Sequence, residues 1–228
     1  MFNFLKNKEE NSNKQLHVAL DINNVEKWAE KQKIELPIAY QKCFLKIKEL
    51  MELQVNNKTP IFSFLILPLN QTERTELLKS FCQFIDSKIF WQHLITNKVK
   101  VTLLGKWYNL PTENLNSLKR VVECSKDYDQ FFLNFYLNYD GQEEIVDAVK
   151  LIYRQVLADK LSLENINPEM IKDNLYTSYF IPPTLIIKNE DNILNSFLLW
   201  DSVGAKMKIT EKEFMELSVS EIDKMLKE

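Results

Sequence analysis

Four carboxylates stand where this chain could turn them to chemistry. Asp21 and Glu26 flank the end of the first apolar run, and Glu190 and Asp191 follow a later one. Carboxylate oxygens are the ligands a hard cation such as magnesium prefers, and a metal of that kind commonly neutralises a phosphorylated substrate. The other reading of all four is solvated loop charge, with Asp21 an ordinary polar residue at a strand end. Softer metal chemistry is not supported. Cys43, Cys82 and Cys124 are odd in number and far apart, form no C-x-x-C pair, and read as buried free thiols. Two histidines make no His-rich metal site. The chain has only three glycines, Gly105, Gly141 and Gly204. Phosphate-cradling loops need glycine for close backbone approach, so a Walker loop and a dinucleotide fingerprint are both excluded.

Those residues need a frame. At 228 residues with 45% hydrophobic content, the chain has the length for one domain and can bury a core. Residues 1–15 read as a disordered polar tail and 16–228 as the domain. Apolar runs of strand length at Leu16–Ile22, Pro60–Leu67, Lys98–Gly105, Phe131–Asn138, Thr184–Lys188 and Ala205–Ile209 alternate with helical patterns. Helices are predicted over Ile38–Leu53, with Cys43, Leu45, Ile47, Leu50 and Met51 inward, and over Thr72–Ile95 as one long segment. Two more follow, one opening at Pro111 and one over Gly141–Ala158 with Ile145, Val146, Val149, Ile152, Tyr153 and Val156 inward. The alternation predicts a single α/β domain with a central, mostly parallel six-stranded sheet flanked by helices. A net charge of −3 with interspersed signs gives no basic face for nucleic acid. No apolar run approaches the ~18–20 residues that span a bilayer, and the first residues make no secretory signal. The expected location is the cytoplasm, with a peripheral place at the membrane as its extension.

Three segments carry a resemblance. His17-Val18-Ala19 with Trp28-Ala29, Asn138-Tyr139-Asp140-Gly141-Gln142-Glu143-Glu144-Ile145, and Ser196-Phe197-Leu198-Leu199-Trp200 resemble motifs of the cis-prenyltransferases, the family of undecaprenyl diphosphate synthase. The strand Lys98–Gly105 and Leu110-Pro111 fit the same pattern, so the resemblance runs from about Leu16 to Thr210. It implies that family's fold, a magnesium-dependent polyprenyl diphosphate synthase as the family activity, and dimerisation near the last strand and Trp200.

At the family's functional positions other residues stand. Asn23 falls at the catalytic aspartate, Asn24 at a glycine, Lys27 at an arginine, and Leu36 and Tyr40 at a further arginine and histidine. The strand that ends in polar residues in the family ends here in Leu65-Ile66-Leu67-Pro68. Of the arginines that bind the second diphosphate, one becomes Ile187, or Lys188 if one residue is deleted, and the other becomes Ile193. The motif serine is Asn195, and the metal-binding glutamate is Lys206. Asp21 lies two residues before Asn23, hence on the same face of a strand, and could serve in a shifted register.

By this pattern the chain is a degenerate member that uses no cofactor, or magnesium alone if it is an enzyme. It is expected to act as a non-catalytic partner or regulatory subunit of an active polyprenyl diphosphate synthase, in a homodimer or a heterodimer. The tail Met215–Glu228 is helical in pattern and lacks the R-x-G ending of the family's helper subunits. The alternatives are a prenyltransferase with shifted chemistry through Asp21, Glu26, Glu190 and Asp191, and a prenyl-lipid-binding protein. For the last, Leu77, Phe81, Phe84, Ile85, Ile89 and Phe90 would line the hydrophobic tunnel, where ordinary core is the simpler use of such a stripe.

Overall fold

The computed structural model describes residues 16–22, 24–69, 74–189 and 196–228. The expected tail of residues 1–15 lies outside them. All six predicted strands are present: β1 (His17–Asp21), β2 (Ile61–Pro68), β3 (Val99–Leu104), β4 (Phe131–Tyr139), β5 (Leu185–Asn189) and β6 (Lys206–Thr210). They form one sheet in the order β3-β4-β2-β1-β5-β6, and every pairing is parallel. β1 and β5 are buried along their whole length, as are nearly all of β2 and β4. This is why their sequences read as continuous apolar runs. Edge strand β6 is largely exposed.

The helices are α1 (Val25–Gln32), α2 (Leu36–Asn56), α3 (Thr75–Asp86), α4 (Lys88–Asn97), α5 (Thr112–Ser125), α6 (Gly141–Leu157), α7 (Pro168–Asp173) and α8 (Val219–Lys227). The long segment predicted over Thr72–Ile95 is two helices. Ser87 leaves helical geometry, at φ −69° and ψ 147°, and its hydroxyl accepts from the Phe90 N–H to start α4. Serine competes for backbone donors in this way and so favours caps over helix interiors. The C-terminal helix begins at Val219, later than its pattern suggested, where Ser218 and Glu221 form a capping box.

Two further expectations fail on helix faces. Leu45 points outward from α2, and Val146, Val149 and Tyr153 point outward from α6, whose inner face is Gly141, Glu144, Ala148 and Ile152. α6 buries a partly polar face, so its apolar period marks the wrong side. Among the cysteines, Cys43 and Cys82 are buried as expected while Cys124 is exposed.

The two sides of the sheet differ in chemistry. One buries Val18, Leu20, Phe62, Phe64, Phe135 and Leu185 together with residues of α2, α3, α4, α5 and α8. The other holds a smaller apolar cluster, including Ala19, Tyr136, Ile186 and Phe197, interleaved with buried His17, Ser63, Asn134 and Glu144.

The start of α6 shows how closely the second side is packed. Asp140 caps the helix by accepting from the N–H groups of Gln142 and Glu143, and its other oxygen accepts from the Ser196 hydroxyl at 2.6 Å. Between them, Gly141 is pressed so tightly that a Cβ there would meet the Ser196 carbonyl at 2.1 Å and the Leu199 Cβ at 2.8 Å. The expected outcome is that Gly141→Ala costs about 1–3 kcal/mol. Gly204→Ala, where nothing lies within 4 Å, costs less, its penalty coming from φ +85° alone. Urea unfolding of the two variants checks the order.

Candidate active site

In open parallel sheets, ligands bind beyond the strands' carboxyl ends, where neighbouring strands send their connections in opposite directions. Here that place is β1 and β5. From β1 the chain moves to β2 on one side, and from β5 to β6 on the other. Asp21 closes β1, and Lys188 lies one step beyond the last β1–β5 pair, Leu20 with Ile187. Both are nearly buried, at 4% and 9% exposure. By alternation along their strands both face the polar side of the sheet.

After β1 the chain turns into α1 through Asn24, which holds φ 62°. This left-handed conformation suits glycine, and asparagine is among the few other residues enriched there. A cleft of about 520 Å³ opens beside this turn, lined by Asn24, Glu26, Lys27, Glu30, Leu36, Tyr40, Arg74, Thr75 and Glu76. Sequence reasoning singled out Asn24, Glu26, Lys27, Leu36 and Tyr40, and the fold brings all five to this one opening.

Their charges are already matched within the chain. Glu26 Oε1 accepts from the Tyr40 hydroxyl at 2.8 Å and lies 3.3 Å from the Arg74 guanidinium. Burial first, and the Glu26 carboxylate second, hold the Tyr40 pKa well above its usual range. Lys27 turns to Glu213 at 3.3 Å, and Lys31 reaches the same carboxylate at 3.2 Å. Arg74 and Glu213 were not found from the sequence. Their partners lie far along the chain, and no local spacing signals such a pair.

The remaining predicted residues scatter. Lys206 sits exposed on β6 and donates to the Glu228 carbonyl at 2.9 Å. Asn23, Glu190, Asp191, Ile193 and Asn195 lie outside the described residues. Of the predicted tunnel lining, Leu77, Phe81, Ile85 and Phe90 are buried, Phe84 is partly buried, and Ile89 is 56% exposed on the outer face of α4. Phe81 packs edge-on against Phe135 at 5.0 Å, and Phe84 stacks on Phe44 at 5.5 Å and meets Phe90 at 4.9 Å. These rings fill one another's space.

Magnesium keeps several waters and takes one or two carboxylates together with substrate phosphates. Among the described residues one carboxylate, Asp21, reaches the ends of β1 and β5, and the Glu26 carboxylate is engaged by Arg74 and Tyr40. No group of three or more His, Cys, Asp or Glu side chains among the described residues could hold a metal ion. The described residues thus form no closed metal cage, and Asp21 is the carboxylate among them placed to meet a metal carried by a phosphorylated substrate.

The first motif residue, His17, has a structural position. Its ring bonds to the Ser63 hydroxyl and to the Ile181 carbonyl, each at 2.7 Å. Burial lowers its pKa to about 4. In the unfolded chain it returns to about 6.5. A depressed folded value means that its stabilising contribution is present in full above pH 6.5 and is lost as pH falls toward 4. Between about pH 7.5 and 4.5 the protein is therefore expected to lose about 2–3 kcal/mol through this residue. A His17→Gln variant shows a correspondingly shallower fall, and equal pH dependence in the two proteins, measured by urea unfolding, would contradict the assignment.

Comparison with known proteins agrees with this architecture. A prenyltransferase family model, described as "Putative undecaprenyl diphosphate synthase", matches residues 23–228. An isoprenyl transferase of Clostridium tetani is 24% identical over 249 aligned positions, covering 100% of this chain and 96% of its own. One from Oceanobacillus iheyensis is 24% identical over 206, covering 88% and 81%. Among solved structures, lavandulyl diphosphate synthase from Lavandula x intermedia, in complex with dimethylallyl diphosphate, superposes with a TM-score of 0.86 at 19% identity, covering 93% of this chain and 94% of its own. A probable undecaprenyl diphosphate synthase from Campylobacter jejuni gives 0.71 at 20% identity, covering 94% of each chain.

Proposed function

Because the chain belongs to the undecaprenyl diphosphate synthase family of prenyltransferases, we propose that it is a non-catalytic member that serves as a partner or regulatory subunit of an active polyprenyl diphosphate synthase. The observation that carries this reading is the state of the cleft beside α1. Its carboxylate and its cations are matched to one another, Glu26 to Arg74 and Lys27 to Glu213. A diphosphate entering there would meet Glu26, Glu30 and Glu76, while both cations of the lining, Lys27 and Arg74, already have internal partners. The motif residues that survive are those that pack. Gly141 admits the Ser196 segment, and Gly105, at φ +99°, lies where a Cβ would meet the Leu137 carbonyl at 2.5 Å.

A partner role needs a surface. Val146, Val149, Tyr153 and Leu157 form an outward apolar stripe on α6, and Tyr179 and Val203 stand 82% and 83% exposed. Apolar surface of this kind on a folded protein marks interaction sites when it is contiguous. We assign it to the dimer contact, with a second copy or with a catalytic relative. No helix among the described residues is long and apolar enough to cross a membrane. A cytoplasmic location, with peripheral contact at the membrane, belongs to the same proposal.

The second reading, shifted chemistry, has one observation in its favour. Asp21 is a buried carboxylate at the end of β1, with Lys188 on the neighbouring strand.

The test is to coexpress the chain with an isoprenyl transferase of its own source and follow both through purification. A partner subunit copurifies in a defined ratio and changes the rate or product length of the enzyme. Tyr153→Glu on the α6 stripe is expected to weaken copurification about tenfold or more, since a charge buried in an apolar contact is costly. Separate elution with unchanged enzyme kinetics would count against the partner role.

A further inference from the structure

Lys46 is a buried cation whose bonded partners among the described residues are neutral. It stands on the inner side of α2 at 9% exposure. Its ammonium donates to the carbonyls of Phe214 and Leu217, in the turn that leads into α8, and lies 4.4 Å from the centre of the Phe214 ring. Carbonyls and a ring face attract an ammonium, yet they bring no full negative charge to offset its lost hydration. The segment it holds, residues 213–227, closes over α1 and α2. Phe214, Leu217, Ile222 and Leu226 are buried in the larger core. Glu213 meets Lys27 and Lys31 on α1, and Asp223 accepts from the Asn57 side chain at the end of α2 at 2.7 Å.

We propose that Lys46 is a pH-sensitive latch on the C-terminal segment: docking of residues 213–227 encloses its amine, and the segment is held more firmly when that amine is neutral than when it is protonated. A neutral amine keeps two N–H donors, one for each carbonyl, and has no charge to desolvate. Burial lowers the Lys46 pKa from 10.5 to about 8. Opening returns the side chain to water and to 10.5, so opening takes up a proton. The contribution of neutral Lys46 is therefore present in full above pH 10.5 and is lost as pH falls through 8. Three ionisable groups face it. Cys43, one turn earlier on α2, is pushed up to about 12 by burial and stays a thiol. Glu221 on α8 is held down at about 2, first by Lys212 and then by the Ser218 cap, and stays a carboxylate. Glu49 is an exposed carboxylate of α2. Release of the segment also carries Glu213 away from Lys27 and Lys31, so the latch governs the pairing of α1.

The experiment is hydrogen exchange of the full chain followed by mass spectrometry between about pH 7 and 9, each amide rate being divided by its free-peptide rate at the same pH. Wild type, Lys46→Met and Lys46→Arg are compared, the arginine keeping its charge throughout. With 10.5 in the open segment and about 8 in the docked one, opening of residues 213–227 in wild type falls about tenfold across that range. Both variants are expected to lose that fall. The segment is also expected to exchange faster than the amides of β2 and β4, which need the whole fold to open. A level wild-type profile overturns the proposal, and so does a fall that Lys46→Met retains. Protection of residues 213–227 equal to that of β2 and β4 at every pH overturns it as well, because the segment would then open only with the entire fold. Where circular dichroism shows that neither variant folds, the wild-type profile decides alone.

Discussion

The structure depends on how β1 is held. It lies between β2 and β5, buried on both faces, and its first residue is fastened on several sides. The His17 ring reaches Ser63 on β2 and the Ile181 carbonyl, while the Thr184 hydroxyl and N–H both donate to the His17 carbonyl just before β5. A neutral imidazole can bridge a donor and an acceptor at once, which a charged one cannot do. Burial keeps it neutral. With its start pinned, β1 delivers Asp21 to the point where the sheet's connections diverge and launches α1 beside the cleft. Asn24, Glu26, Lys27, Leu36 and Tyr40 are all placed by this strand and the two helices after it.

From there the two sides of the sheet divide the work. On one side, the phenylalanines of α2, α3, α4, β2 and β4 pack ring on ring and fill the core. On the other, several buried polar groups are paired across elements. The Tyr139 hydroxyl donates to Glu144 at 2.6 Å, the Thr177 N–H donates to the same carboxylate at 3.3 Å, and Lys172 meets buried Asp201 at 2.5 Å. A buried charge without a partner is costly, so removing one member of such a pair destabilises the fold. Such packing requires His17, Gly105 and Gly141 whether or not a reaction takes place nearby. Motif residues that pack therefore speak for the fold before they speak for activity.

The strands were legible because burial on both faces leaves a run of Val, Ile, Leu and Phe that little else explains. The fold class followed from their alternation with helices, and the family from three motifs whose packing roles the structure makes plain. Other features were hidden for physical reasons. Ser87 splits a segment whose apolar period continues unbroken across it, and only its cap geometry reveals the break. α6 turns Glu144 inward and Val149 outward, so hydrophobic periodicity pointed to the wrong face. The pairing of Glu26 with Arg74 and of Lys27 with Glu213 joins segments remote in the chain, and depends on the tertiary fold alone. Helix α1 itself, with Val25 and Ala29 as its only buried residues, offers too narrow an apolar stripe to be read in advance.

We propose a prenyltransferase fold in which the charges of the cleft answer one another, Glu26 with Arg74 and Lys27 with Glu213, so that diphosphate is disfavoured there. The most direct measurement is magnesium-dependent incorporation of labelled isopentenyl diphosphate onto farnesyl diphosphate by the purified chain alone. A non-catalytic chain gives no incorporation above background while remaining folded. Clear turnover that disappears in Asp21→Ala would contradict it, and would make the buried carboxylate at the end of β1 the catalytic one.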